Sequence, residues 1–379
     1  MLALILAAIN LRPGITSFAP LIERIAEELH LSRSVISLTT ALPVLLMGLL
    51  APLAPRLAVR FGLERTISLC LGLISVALAL RLFGQSAAVL IATAALVGAG
   101  IAVAGPLLSG FIKRYFSDRI GKTGAFYSLS MAVGGTIGVV LTAPATGLLN
   151  QRWTWGLALW AIPAALALLV WWRLPSQPEP ATESRVGLPW KEPRAWLVSA
   201  YFALQAGLFY ALATWLVARY HEVGFSSLQS NAFFSGFMLI GLPSSFIMPW
   251  LAQRFGRRHV LMACCGLVAT VCLLIIAWRP LVNPLLVCML LGVALNGTFS
   301  MSLVLPMYEA NSPLAVSRLT AMMLCTGYCL GCFAPVLTGL GRDLAGDYRW
   351  PFMVLAAISA LMAVLALRLA PRQAPVNDA

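Results

Sequence analysis

The chain has 379 residues, of which 60% are hydrophobic and only 10% charged, and its mean hydropathy is +0.89. A soluble domain carries about 25% charged residues, so this composition excludes a soluble globular protein. The formal net charge of +13 lies in short loops between apolar segments, which is typical of membrane topology signals rather than of nucleic-acid binding. We therefore expect a polytopic membrane protein with the lipid bilayer, and no nucleic acid, as its partner.

Apolar windows long enough to cross a bilayer as helices recur along the whole chain. Their continuous apolar character favours an all-α membrane protein over a barrel of short alternating strands. Twelve spans are predicted at 2–22, 34–55, 66–84, 89–112, 124–148, 155–173, 195–218, 230–252, 259–278, 285–307, 319–340 and 350–369. The proline-rich segment 174–194 predicts a cytoplasmic linker between two six-helix bundles, residues 1–173 and 195–379.

The distribution of lysine and arginine over the loops predicts the orientation. With both termini placed in the cytoplasm, seventeen basic residues fall on the cytoplasmic side and eight, Arg81 among them, on the other. Basic residues concentrate on the cytoplasmic side of membrane proteins. We expect a multi-pass protein of the inner membrane whose N- and C-termini are cytoplasmic, with no cleaved signal peptide before the first span.

Arg12 in the first predicted span is the sharpest feature of the sequence. It lies near the membrane midplane, where an arginine costs about 2.5–3.5 kcal/mol or more, and the predicted spans place no carboxylate near that depth. We expect its guanidinium to bind an anionic or strongly dipolar substrate. The alternative is a structural role in which Arg12 donates to backbone carbonyls of a broken helix.

The residues around Arg12 extend this hypothesis. Pro13 and Gly14 predict a kink, because proline cannot donate to the carbonyl of Ile9. Thr16 shares a helical face with Arg12 and is a candidate for substrate binding, although a hydrogen bond to the carbonyl of Arg12 is an equal alternative. Asn10 is a further candidate if the kink rotates it toward the same face.

Three polar residues of the second half are candidates for the same substrate site. Gln205 is an isolated amide in the seventh span and is expected to face the cavity, and Tyr210 follows it on the same span. Tyr210 can stack on a flat substrate or serve as packing. Asn296 is an isolated amide of the tenth span that lines the pathway or joins helices.

A short segment after the second span recurs after the eighth. Pro55–Gly62 and Pro249–Gly256 share the pattern Leu-Ala-x-Arg-Phe-Gly at an offset of 194 residues. Two similar six-helix halves are typical of a transporter that alternates access to a site between them. The pattern resembles the loop motif of the major facilitator superfamily, with Val59 and Gln253 in place of the acidic residue that relatives carry.

Finer segments are similar to the family of cyanate transporters and 2-nitroimidazole exporters. They are Asn10-Leu-Arg12-Pro13-x2-Thr16-Ser17, Leu38-Thr-Thr-Ala-Leu-Pro43, Arg60-Phe-Gly-x-Glu64-Arg65 and Thr123-Gly-Ala-x-Tyr127-Ser128. The resemblance covers the whole chain and implies the major facilitator fold, with Gly105 where relatives carry a polar amide. It also implies gate or pathway roles for Trp215, Arg60 and Arg254. For Tyr127, near the cytoplasmic end of the fifth span, a gate and a substrate contact are equal alternatives.

These features together predict a secondary active transporter of a small anion or polar planar compound such as cyanate, where cyanate is implied by the resemblance alone. The alternatives are an exporter of nitroimidazole-like drugs and, from a different class, a non-transporting membrane receptor. An enzyme is not expected, because the spans hold no nucleophile, base or ligand constellation. We expect a monomer without metal or cofactor, and coupling to protons or to a counter-substrate is left open.

Overall fold

A computed structural model describes residues 1–30, 33–149, 152–175 and 187–370. Over these ranges the secondary structure is entirely helical. Short 3-10 helices lie at Ala19–Leu21, Leu80–Phe83 and Ser117–Arg119. The α-helices are α1 (Leu2–Asn10), α2 (Pro13–Thr16), α3 (Ile22–Glu28), α4 (Arg33–Leu50), α5 (Leu53–Phe61), α6 (Leu63–Ala79), α7 (Ala87–Tyr115), α8 (Ile120–Leu148), α9 (Trp153–Ala158), α10 (Ala161–Trp172), α11 (Pro193–Glu222), α12 (Ser227–Leu239), α13 (Gly241–Phe255), α14 (Arg258–Trp278), α15 (Pro284–Glu309), α16 (Pro313–Gly331), α17 (Ala334–Ala345) and α18 (Arg349–Arg368).

The third to twelfth predicted spans correspond to ten helices or helix pairs that are long and apolar enough to cross a membrane within the described residues. The second predicted span is a pair bent by 62°, Ala41–Leu50 with Leu53–Phe61, and counting it gives eleven. The first is the shorter apolar segment Leu2–Thr16. Both early spans are interrupted next to a proline, Pro13 or Pro52, because proline has no N–H to continue the helix.

The repeated Leu-Ala-x-Arg-Phe-Gly segments end their helices in the same way. The helix α5 stops at Phe61 and α13 at Phe255, and each is followed by a glycine with positive φ, 84° at Gly62 and 64° at Gly256. Only glycine adopts this conformation at little steric cost. The glycine of the repeat therefore sets the sharp turn into α6 and α14.

Contacts divide the chain into two compact units, Met1–Ala195 with Leu303–Leu330, and Trp196–Ser302 with Gly331–Ala379. In the first unit, α7 packs on α4 and α6, and α1 packs on α8 and α10. In the second, α14 packs along α18, where Gly266 lies directly against Ala363. Boundaries between these units fall within α15 and at the end of α16, so the units are groups of packed residues and not continuous halves of the chain. The division into two bundles at the 174–194 linker stays a prediction.

Candidate functional site

The first predicted span is broken at Leu11 and Arg12, between α1 and α2. The carbonyl of Arg12 accepts hydrogen bonds from the backbone N–H of Ile15 at 3.0 Å and of Thr16 at 3.1 Å. The Thr16 hydroxyl donates to the same oxygen at 3.2 Å, as the structural alternative for this residue anticipated. Arg12 itself is half-buried, so its side chain leaves the helix at the break with part of its surface accessible.

Three glycines of α8 form the surface on which the broken helix lies. At Gly134 a Cβ would collide with the backbone of Ile9, and at Gly138 it would collide with the Thr16 hydroxyl. At Gly135 it would make ordinary contact with the Arg12 Cβ at 3.6 Å. The absence of side chains at the first two positions lets the two backbones touch, which places the stem of Arg12 against α8.

Two buried tyrosines lie within electrostatic range of the Arg12 guanidinium. Tyr127 comes from α8 and Tyr328 from α16, and both belong to the same compact unit as Arg12. Tyr127 was expected at a gate or in contact with substrate, and its phenol lies in electrostatic range of Arg12. Tyr328 was missed, although it lies within Gly327-x3-Gly331, the counterpart of Gly134-x3-Gly138.

Asn10 occupies a helix contact. Its Nδ2 donates to the carbonyl of Leu6 at 2.8 Å and to that of Pro163 at 3.2 Å, which ties α1 to α10. Both amide hydrogens are thereby used, and the side chain is only 4% exposed. A substrate would have to reach the remaining amide oxygen or displace one of these bonds.

Arg81 is fully buried, whereas the charge distribution along the sequence predicted a loop position for it. It lies in the short 3-10 helix that prolongs α6, and its Nη2 donates to the carbonyl of Gly14 at 2.8 Å. Its guanidinium lies over the ring of Phe18, 4.4 Å from the centroid. Within the described residues its Nε and Nη1 have no hydrogen-bond partner. A second arginine thus contacts the broken helix two residues after Arg12.

In the second unit, Gln205 and Asn296 connect α11 with α13 and α15. Gln205 is fully buried, and its Nε2 donates to the carbonyl of Leu295 at 3.1 Å. Its Oε1 has no hydrogen-bond partner within the described residues. Asn296 donates to the carbonyl of Gly292 at 2.9 Å and packs on Gly241. Gln205 was expected to face a cavity, but here it is enclosed between helices.

Tyr210 and Trp215 lie further along α11. The half-buried Tyr210 ring meets the edge of Phe209, with centroids 5.9 Å apart. Trp215 donates from Nε1 to the carbonyl of Pro335 at 2.7 Å, next to the interruption between α16 and α17. Its ring lies 5.5 Å from that of Tyr348, whose pKa is raised by burial of the hydroxyl. Trp215 therefore supports a second broken span.

The two repeated arginines are exposed. Arg60 lies over the ring of Phe61 and Arg254 over that of Trp250, with distances to the ring centroids of 5.1 and 5.8 Å. Neither side chain forms an ion pair with another residue of the described ranges. The gate role of these two arginines stays a prediction, and the contacts that the structure shows for them are with aromatic rings.

Two other arginines of the first unit form largely buried ion pairs near helix ends. The Glu64 carboxylate is 1% exposed and accepts from Arg114 Nη1 at 3.0 Å and from the Tyr115 hydroxyl at 2.9 Å. Arg194 holds Glu309 through two bonds, Nε to Oε2 at 2.7 Å and Nη2 to Oε1 at 3.1 Å. The sequence signal for the second pair is that Glu309 is the first carboxylate after Glu222.

Further contacts within the first unit join α7 and α8 to the end of α15 and the start of α16. Lys113 donates from Nζ to the carbonyl of Met307 at 3.0 Å. Gly110 lies against Ser317, and Gly124 lies against Val304. Residues far apart in the sequence are thus packed together at the helix ends that the charge distribution predicts to be cytoplasmic.

The sequence matches the Major Facilitator Superfamily over residues 4–335 and 220–379. It is 31% identical to the cyanate transport protein CynX of Escherichia coli (strain K12) over 388 residues, which cover 99% of this chain and 98% of that protein. It is 28% identical to the 2-nitroimidazole transporter of the same organism, covering 96% of this chain and 93% of that one. The solved structure of the proton:xylose symporter XylE superimposes with a TM-score of 0.80 at 12% identity, covering 98% of this chain and 95% of that chain.

The helical architecture and these similarities define a multi-pass membrane transporter of small molecules, not an enzyme. The chain belongs to the Major Facilitator Superfamily. The superfamily and fold predicted from the repeated segments are thereby confirmed.

Proposed function

We propose that the protein is a secondary active transporter that moves a small anion or a polar planar compound such as cyanate by alternating access. The observation that carries this proposal is the placement of the half-buried Arg12 at the break between α1 and α2, with the phenols of Tyr127 and Tyr328 in electrostatic range. A guanidinium offers planar, permanently charged donors suited to carboxylate-like groups. The relative named as a cyanate transport protein supports this substrate class.

A second candidate function is export of nitroimidazole-like drugs. The half-buried Arg12 favours it, because a nitro group can accept from the guanidinium as a carboxylate does, with the Tyr127 and Tyr328 phenols in electrostatic range. The relative named as a 2-nitroimidazole transporter supports the same chemistry. Both candidates use Arg12 and differ in the size of the bound molecule.

The contacts at the helix ends supply the gate of this mechanism. The ion pair of Arg194 with Glu309 and the bond of Lys113 to Met307 hold the end of α15 against the start of α11 and the end of α7, all within the first unit. We assign them to the closed state of the cytoplasmic side, in an inner-membrane monomer whose termini are both cytoplasmic. They replace the motif carboxylate whose positions are taken by Val59 and Gln253.

A thermal-shift screen of purified protein tests the substrate site. The panel contains cyanate, other small anions, carboxylates, nitroimidazoles and cationic dyes, and it compares the wild type with Arg12→Gln. A ligand that binds the folded form raises its apparent stability by mass action. We expect anions or nitro compounds to stabilise the wild type and not the variant. An equal response of both proteins, or a response to cationic dyes alone, contradicts the proposal.

Measurement of directional uptake into proteoliposomes distinguishes a transporter from a non-transporting receptor. A transporter accumulates or exchanges the labelled compound across the bilayer, whereas a receptor binds it without flux. Imposing a pH gradient, and separately loading the lumen with unlabelled compound, distinguishes proton coupling from exchange with a counter-substrate. Binding without flux under both conditions contradicts the transporter proposal.

A further inference from the structure

An open groove of about 480 Å³ runs between α13 and α14 in the second unit. Its walls are apolar, and the lining also contains one charged residue and one thiol: Leu251, Ala252, Phe255, Val260 and Leu261, with Arg257 and Cys264. Phe255 is 67% exposed and Trp250 is 39% exposed beside it. Large apolar and aromatic side chains at the end of a membrane span are typical of contact with lipid at the interface.

The second repeated segment lacks the carboxylate that follows the first one. At the offset of 194 residues, Leu63 and Glu64 of the first copy correspond to Arg257 and Arg258 of the second. At the first copy, the anion is a side chain of the protein itself. The buried Glu64 carboxylate accepts hydrogen bonds from Arg114 and Tyr115. The second copy carries positive charge at the corresponding positions.

Within the part of the chain that the structure describes, no carboxylate contacts Arg257. The sequence contains no Asp or Glu between Glu222 and Glu309. The Arg257 side chain is exposed and forms no ion pair or hydrogen bond with any residue that the structure describes. Arg254 contributes a further positive charge, held over Trp250. The start of the 21-residue helix α14 adds the positive end of its dipole next to Arg257.

We propose that this groove binds an anionic phospholipid, with the phosphate at Arg257 and an acyl chain along the apolar walls between α13 and α14. A water-soluble anion would use the arginines but not the apolar walls, and a zwitterionic lipid would use the walls but gain little from the charge. A polybasic site near a bilayer is attracted to anionic lipid head groups. The site lies in the second unit, apart from the Arg12 cluster, and does not depend on the identity of the transported compound.

The test measures lipid binding to delipidated full-length protein in detergent. Phosphatidylglycerol and phosphatidylethanolamine are titrated separately, and the bound lipid is counted by native mass spectrometry. We expect the wild type to retain phosphatidylglycerol preferentially, and Arg257→Gln to bind it about fivefold more weakly, the effect of one arginine near an anionic surface. The matched control is Arg56→Gln, which removes one exposed positive charge from the first copy of the repeat.

Two further measurements test lipid binding even if Arg257→Gln does not fold correctly. Cys264→Trp fills the groove without changing any charge, and we expect it to weaken phosphatidylglycerol binding as well. In the wild type, phosphatidylglycerol should slow alkylation of Cys264, the exposed thiol in the lining. Equal retention of the two lipids, unchanged binding by Arg257→Gln, or complete competition by soluble glycerol phosphate would overturn the proposal.

Discussion

Arg81 donates a hydrogen bond of 2.8 Å from Nη2 to the carbonyl oxygen of Gly14, so a buried cation holds the backbone of the first span just beyond its break. Sixty-seven residues separate the two partners in the chain. The contact satisfies one backbone acceptor of the irregular segment that also positions Arg12. Arg81 is therefore a positioning residue for the proposed substrate site.

Replacing Arg81 should affect ligand binding more than folding. Arg81→Met removes the bond to Gly14 but also relieves the burial of a guanidinium whose Nε and Nη1 have no partner within the described residues. These effects oppose each other, so we expect a change in unfolding free energy below about 2 kcal/mol. The ligand-induced thermal shift should fall by at least half. Arg279→Met, at an exposed arginine, is the control and should leave both quantities unchanged. A full ligand response in Arg81→Met would contradict the positioning role.

The glycine surface of α8 gives a stability prediction whose control is the adjacent glycine of the same helix. Gly134→Ala places a Cβ on the backbone of Ile9 and should destabilise the protein by about 1–3 kcal/mol, the usual effect of overpacking. Gly135→Ala makes only ordinary contact with Arg12 and should be neutral or slightly stabilising, because alanine favours a helix by about 1 kcal/mol over glycine. Thermal unfolding in detergent measures both. Equal stability of the two variants would show that α1 and α8 do not touch through Gly134.

The phenols near Arg12 should contribute to ligand affinity. Tyr127→Phe and Tyr328→Phe each remove one hydroxyl from the electrostatic surroundings of Arg12 while keeping the ring. We expect each to weaken binding of the stabilising ligand about fivefold, the value of one hydrogen bond of about 1 kcal/mol. Tyr201→Phe is the control, because Tyr201 is equally buried in the other unit. Unchanged ligand affinity in both test variants would remove the tyrosines from the site.

The pair of Arg194 and Glu309 should be energetically coupled and should restrain the gate. Glu309 is 8% exposed and Arg194 17% exposed, so removing one partner leaves a poorly solvated charge. We expect Glu309→Gln to destabilise the protein by about 1–3 kcal/mol, below the 3–5 kcal/mol of a fully buried pair. The charge-reversed pair Arg194→Glu with Glu309→Arg should recover part of this loss. Additive effects in this double-mutant comparison would exclude the coupling.

An exposed pair provides the reference for that measurement. Arg119 Nε lies 3.5 Å from Asp118 Oδ2, and the two side chains are 73% and 76% exposed. Asp118→Asn should change stability by less than about 1 kcal/mol, because solvent screens such pairs. If this substitution lowers stability as much as Glu309→Gln, the effect at Glu309 is not caused by burial of the ion pair.

Local features of the sequence anticipated much of the site without establishing its neighbours. Pro13 predicted a kink next to Arg12, because a proline inside a helical span cannot donate a backbone hydrogen bond to the preceding turn. The isolated amides Asn10 and Gln205 were predicted as pocket residues, and the structure has both donating to backbone carbonyls of neighbouring helices. A polar residue in an apolar span needs a partner, but its position in the sequence does not say whether that partner is a substrate or another helix.

Hydropathy, charge distribution and the 194-residue repeat by themselves determined the class of this protein, because a bilayer admits only long apolar helices and the repeat is visible as residue identities. Tertiary structure alone decided that Arg81 lies buried on Gly14, that Tyr328 belongs with Arg12, and that Arg194 meets Glu309. These contacts join residues of different helices. They depend on helix rotation and on how closely backbones approach, which local residue patterns do not specify.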